Sequence, residues 1–74
     1  MIKKSAKIKP DIQESIIGYF ELNGVYEVLE IEEPIIKDGI DHTLVKIRDT
    51  EDSEYLVDIE INNETGRWAV IEFV

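Results

Sequence analysis

The sequence predicts an α+β domain, one N-terminal helix packed on a four-stranded antiparallel meander sheet. Residues 11–22 repeat apolar side chains at helical spacing, and four later stretches alternate apolar and polar residues with a period of two. Short polar turns separate those stretches. Strands joined in this way form antiparallel sheets, and an amphipathic helix must bury its stripe on one of their faces. The 74 residues make a single domain with one modest core.

Residues 1–9 hold Lys3, Lys4, Lys7 and Lys9 and no acid. They read as a basic tail, with a short edge strand as the alternative, because Ala6 and Ile8 alternate with lysines that discourage stray pairing. Pro10 then opens the helix, where Asp11 and Glu14 have the spacing of a capping box. Ile12, Ile16, Tyr19 and Phe20 share one helical face, with Ile17 and Leu22 on its flanks. Asn23-Gly24 supplies the stop.

Residues 25–32 form the first strand. Val25, Leu29 and Ile31 share a face with Glu27, while Tyr26 and Val28 share the other with Glu30 and Glu32. The alternation is imperfect, which is what a bulge produces. Pro34 ends the strand, since proline lacks the ladder donor. Residues 35–42 read as a connection turning at Asp38-Gly39, with isoleucines tucked under the sheet.

The next strand, 43–48, turns Val45 and Ile47 inward and Leu44, Lys46 and Arg48 outward. An acidic loop, 49–54, leads into the final hairpin. There Tyr55, Val57, Ile59 and Ile61 point inward, opposed by Ala69, Ile71 and Phe73. Leu56, Trp68 and Val70 are left on the outer face. The polar turn 62–66 ends in Gly66, suited to a left-handed backbone.

Composition excludes several functions. Seventeen acids against eight bases give a net charge of −9, and beyond residue 9 seventeen acids face only four bases, about −13. Such a body repels phosphate backbones, so nucleic acid is not an expected partner. With no cysteine, neither disulfides nor a thiolate zinc site supports the fold. No apolar run long enough for a secretory or membrane segment follows the basic start. The expectation, for a complete chain, is a cytoplasmic protein without membrane contact.

No serine, cysteine or threonine lies in a recognisable nucleophile motif, and one histidine does not make a triad. The chain is therefore expected to be non-catalytic and to need no cofactor. His42 with Asp38 and Asp41 is a poor transition-metal set. Asp49, Glu51, Asp52 and Glu54 offer the oxygen ligands that calcium prefers, without the spacing of a calcium loop. A cation-responsive acidic domain is the alternative function, and a structural subunit of a larger assembly is another.

The leading expectation is a protein-interaction or regulatory module. Leu44, Leu56, Trp68 and Val70 on the outer face supply apolar contacts, and Lys46 and Arg48 flank them with charge. The occupant is a protein partner or a second copy.

The stretch Val57-Asp58-Ile59-Glu60-Ile61, followed by Glu64-Thr65-Gly66-Arg67, resembles the last strands of PepSY-type domains. It departs from them in having Asn62 and Asn63 where the family usually has Asp. The resemblance implies a regulator or inhibitor of peptidases, or a ligand-poor interaction module, and carries over no catalytic residue. The helix-on-sheet arrangement is also similar to cystatin-like folds.

Overall fold

The computed structural model describes residues 2–74. One helix, α1 (Pro10–Glu21), precedes five strands: β1 (Tyr26–Ile31), β2 (Ile35–Lys37), β3 (Ile40–Asp49), β4 (Glu54–Ile61) and β5 (Trp68–Phe73). All strand pairs are antiparallel, in the order β1-β3-β4-β5, with β2 pairing β3 beyond the end of β1. The α+β class and the sequential sheet agree with expectation. The fifth strand, β2, is an addition.

It arises from the residues expected to be a connection. Asp38 and Gly39 both take positive φ (51° and 79°), the geometry of a two-residue hairpin turn whose twist matches the strands. The turn zips Ile35–Lys37 onto Ile40–His42. Its isoleucines do not tuck under the sheet, and Ile36 is 73% exposed.

Residues 2–9 are not a tail. Lys3 forms a parallel bridge to Glu30, with its amide on the Leu29 carbonyl and its carbonyl on the Ile31 amide. Ser5 and Ile8 are buried. Gln13, buried on α1, ties the segment down. Its oxygen accepts the Ser5 amide, and its nitrogen donates to the Ser5 and Ile8 carbonyls. Every polar atom of that side chain is thus satisfied, as burial requires.

The capping box does not form. Pro10 occupies the first helical turn and Lys9 the cap, with no side-chain capping bond, because the proline needs no donor partner there. Glu14 is drawn instead to Lys4. The buried stripe is Ile12, Gln13, Ile16, Ile17 and Phe20, which places Tyr19 on the flank rather than in the core.

Two bulges settle the strand faces. In β1 the register shifts between Val28 and Glu30, so Val28 and Ile31 are both buried and Leu29 is the extra residue. In β5 it shifts at Ile71. Before the bulge Ile61 pairs with Trp68 and Ile59 with Val70, and after it Val57 pairs with Phe73. Ile59, Ile61 and Val57 all face the helix, so Trp68, Val70 and Phe73 do too. A one-residue slip reverses every side chain of a strand, and the bulge imposes such a slip midway.

The core is aliphatic: Ile8, Ile12, Ile16, Ile17, Val28, Ile31, Val45, Ile47, Val57, Ile59 and Ile61, with Phe20. Trp68 and Val70 pack against it. A 12-residue helix is about 18 Å long, whereas the ten residues of β3 run about 33 Å. The helix therefore cannot roof the whole sheet. It packs chiefly over β1, leaving the β5 side of the same face open.

A candidate docking groove beside the helix C-terminus

The open side of the helix-bearing face holds the aromatic residues. All six (one Trp, three Tyr, two Phe) form one continuous edge-to-face series, the packing that opposed ring quadrupoles favour. Trp68 meets Tyr19 at 5.3 Å between centroids, and Tyr19 meets Phe20 at 5.1 Å. Phe20 to Tyr26 and Tyr26 to Tyr55 are both 6.4 Å, and Tyr55 to Phe73 is 6.1 Å. The series starts and ends on β5, with Val70 between its ends.

Strand register explains the arrangement. Tyr26, Tyr55 and Phe73 take the helix-side positions at one end of β1, β4 and β5. Tyr19 and Phe20 come from the last turn of α1, which stops because Gly24 adopts φ 69° and returns its amide to the Glu21 carbonyl. The chain then has only Leu22 to Val25 in which to reach β1.

These residues enclose a cleft of about 320 Å³. Tyr19, Phe20, Leu22, Val25 and Tyr26 form one wall, and Val70 and Phe73 the other. Much of the lining is open to solvent: Tyr19 is 59% exposed, Leu22 79% and Phe73 50%. Two of the rings are fixed by polar bonds. The Trp68 indole nitrogen donates to Ser15 Oγ at 3.0 Å, and the Tyr55 hydroxyl donates to Asp49 Oδ2 at 2.9 Å. The Asp49 carboxylate raises the Tyr55 hydroxyl pKa through this bond. The groove is thus apolar and preformed, and two rings of the series beside it, Trp68 and Tyr55, are anchored.

The expected outer-face surface is divided by this geometry. Leu44, Leu56, Lys46 and Arg48 do lie on the face away from the helix, where both leucines are half-buried. Trp68 and Val70 lie on the opposite face, so the six residues do not form one surface. Lys46 and Arg48 are engaged locally, with Glu54 at 4.0 Å and with Glu27 at 2.6 Å and Asp52 at 3.9 Å. Such exposed pairs contribute little to stability. They occupy the charges assigned to a partner.

The acidic loop spends its best ligand on itself. Asp49 Oδ1 accepts the amides of Glu51 and Ser53. Partial burial alone raises a carboxyl pKa. Here the hydrogen bonds from the Ser53 amide, the Tyr55 hydroxyl and the Glu51 amide together hold Asp49 below its ordinary value. Asp52 faces Arg48 and Glu54 faces Lys46. Among the described residues, no three His, Asp or Glu side chains converge as a metal site would require.

His42 pairs with neither Asp38 nor Asp41. Its Nδ1 lies 2.9 Å from Oδ1 of Asp58, which is only 4% exposed although it sits on the outer face. Lys37, brought over by the β2 hairpin, approaches Oδ2 at 3.5 Å. The hydrogen bond from His42, followed by the charges of Lys37 and His42, outweighs burial and depresses the Asp58 pKa. An ionised carboxylate only accepts, so Nδ1 carries the proton. The trio clamps the β2 hairpin onto β4 and borders a small cleft of about 220 Å³ with Ile35 and Leu44.

Sequence reasoning missed Asp58 and the groove residues Leu22, Val25 and Tyr26. A detectable sign was the clustering of five of the six aromatics, all but Trp68, at one end of the helix-side face, once the turn positions are fixed. Comparison with known proteins finds no matching family model, curated protein or solved structure. The likeness of the final hairpin to PepSY domains therefore carries no further argument, and the site is read from its chemistry alone.

Proposed function

We propose that this chain is a non-catalytic protein-interaction module that docks its partner in the aromatic groove between the end of α1 and β5. The supporting observation is the cleft itself: solvent-open apolar and aromatic side chains around a preformed cavity. Contiguous exposed apolar surface of this kind marks interaction sites, and rigid aromatic rings recur among the residues that dominate binding energy. The outer face offers a poorer surface, since its leucines are half-buried among paired charges.

Backbone amide NMR of the isotope-labelled chain tests this reading. On titration with short neutral peptides bearing one leucine or phenylalanine anchor, shifts should concentrate at Tyr19, Leu22, Val25, Val70 and Phe73. Shifts confined to Leu44 and Leu56 would move docking to the outer face. Shifts at the groove on raising protein concentration alone would make the partner a second copy.

A further inference from the structure

The two edges of the sheet are finished differently. On β1 the Val28 amide donates to a Glu21 carboxylate oxygen at 2.9 Å, and Lys3 of the N-terminal segment takes up the Leu29 carbonyl and the Ile31 amide. That edge is covered, one of the ways native sheets avoid stray pairing. The opposite edge, β5, is not. The Asn62 amide donates to the Arg67 carbonyl and the Val74 amide to the Leu56 carbonyl, so residues 67 and 74 turn their backbone groups to β4. Such groups alternate along an antiparallel strand, which leaves the amides and carbonyls of Trp68, Val70 and Phe73 on the free edge. Among the described residues no turn, helix or side chain bonds to them.

The side chains of the strand do little to repel an added one. Residues 68–73 hold neither lysine nor proline, the residues that commonly blunt an edge. Glu72 is their one charge, and Arg67 immediately precedes them. Neither has an ion pair among the described residues. Both belong to the outer face: Glu72 pairs with Asp58, and Arg67 alternates with the helix-side Trp68.

We infer that β5 is a self-association edge, pairing antiparallel with β5 of a second copy about a two-fold axis perpendicular to the sheet. This goes beyond the docking reading and does not depend on it. One register sets Trp68 opposite Phe73 of the second copy and Ala69 opposite its Glu72. It keeps helix-side residues against helix-side residues and joins free backbone groups at both ends of the pairing. Arg67 then lies diagonal to Glu72 of the second copy, a spacing that long side chains bridge, and the symmetry forms this ion pair twice. The bulge at Ile71 falls at the axis, clear of the bonded ends. Trp68 of the second copy stands beside Phe73, whose ring is otherwise 50% exposed, and extends that wall of the groove.

Sedimentation equilibrium of the full chain over a wide range of concentration tests it, with amide NMR on the same samples. The mass should rise from monomer to dimer, and the Trp68, Val70 and Phe73 amides should shift and exchange more slowly as it does. Charge reversals then test the register. Arg67→Glu and Glu72→Arg each set like charges against one another twice, and each should weaken the dimer by about tenfold. The double variant Arg67→Glu/Glu72→Arg should restore it. Both side chains are exposed, so the fold should stand in all three variants.

A monomer at every concentration would overturn the inference and leave groove docking standing. A dimer whose shifts fall at Leu22 and Val25, with the β5 edge amides unmoved, would overturn it in favour of a second copy seated in the groove. A dimer indifferent to the reversals, or not restored by the double variant, would overturn the two-fold pairing of β5.

Discussion

The helix-bearing face of the sheet has two sides that solve the same burial problem in different ways. Beneath α1, isoleucines and valines of β1, β3 and β4 interlock, and Ile16, Val45, Ile47, Val57 and Ile59 have no solvent exposure at all. Toward β5 the helix gives out, and aromatic rings take over with large apolar areas left open. Aliphatic branches fill a closed interior at crystal-like density. Tyrosine and tryptophan can border an open one, because each carries a polar tip to satisfy. The closed side holds the molecule together, and the open side leaves apolar side chains such as Tyr19 and Phe73 in solvent.

Substitutions in each side should break this contrast in opposite ways. The largest stability loss is expected in the closed side: Ile16→Ala should cost about 2–5 kcal/mol. The measurement is a urea midpoint, with the slope against denaturant unchanged. Binding at the groove should persist in whatever fraction remains folded.

Next comes the polar clamp on the other face of the sheet. Asp58→Asn should cost about 1.5–3 kcal/mol, the worth of hydrogen bonds to a charged group, and should loosen the β2 hairpin without disturbing the aromatic groove. Amide exchange at Ile35–Lys37 reads the first effect. The pH dependence follows from the depressed Asp58 pKa. The unfolded chain binds this proton more readily, near the ordinary aspartate value of about 3.9. The stabilisation is therefore fully present above that value and is lost as pH falls through the lower folded value. The variant should lack this part of the acid dependence.

The smallest stability effects belong to the open side. Phe73→Ser should cost about 1 kcal/mol, reflecting a side chain only half removed from water, and Leu22→Ser should stay within about 0.5 kcal/mol. Thermal melts check both values. Each variant should nevertheless eliminate groove binding. If Leu22→Ser destabilised the fold as much as Ile16→Ala, the distinction between the two sides would fail.

Much of the fold was legible in the chain. Period-two alternation located β3 and β4, Asn23-Gly24 ended α1 on time, and the irregular pattern around Leu29 announced the β1 bulge. The face of β5 was not legible. Trp-Ala-Val-Ile-Glu-Phe alternates apolar residues with a small or apolar neighbour, so nothing local says where a bulge falls, and one bulge inverts half the strand. The N-terminal segment was misread for a related reason. Four lysines suggest solvent, but the segment is held through the buried Ser5 and Ile8 and by Gln13, a residue whose pairing is long-range.

The candidate site was hidden by the same inversion. With Trp68 and Val70 assigned outward, the aromatic series could not close, and the apolar surface went to Leu44 and Leu56 instead. Asp58 was hidden differently. In a chain with seventeen acids, one more strand acid carries no mark. Only the register of β3 against β4 sets it diagonally opposite His42, and only the β2 hairpin brings Lys37 to it.

Everything proposed for the groove depends on which face Trp68 occupies, and a proton–proton NOE experiment on the indole ring tests that most directly. Strong contacts from the Trp68 ring to Tyr19 and Ser15, with none to Leu44 or Leu56, are the predicted result. Contacts to Leu44 or Leu56 instead would put Trp68 on the outer face, open the aromatic series and contradict the docking groove.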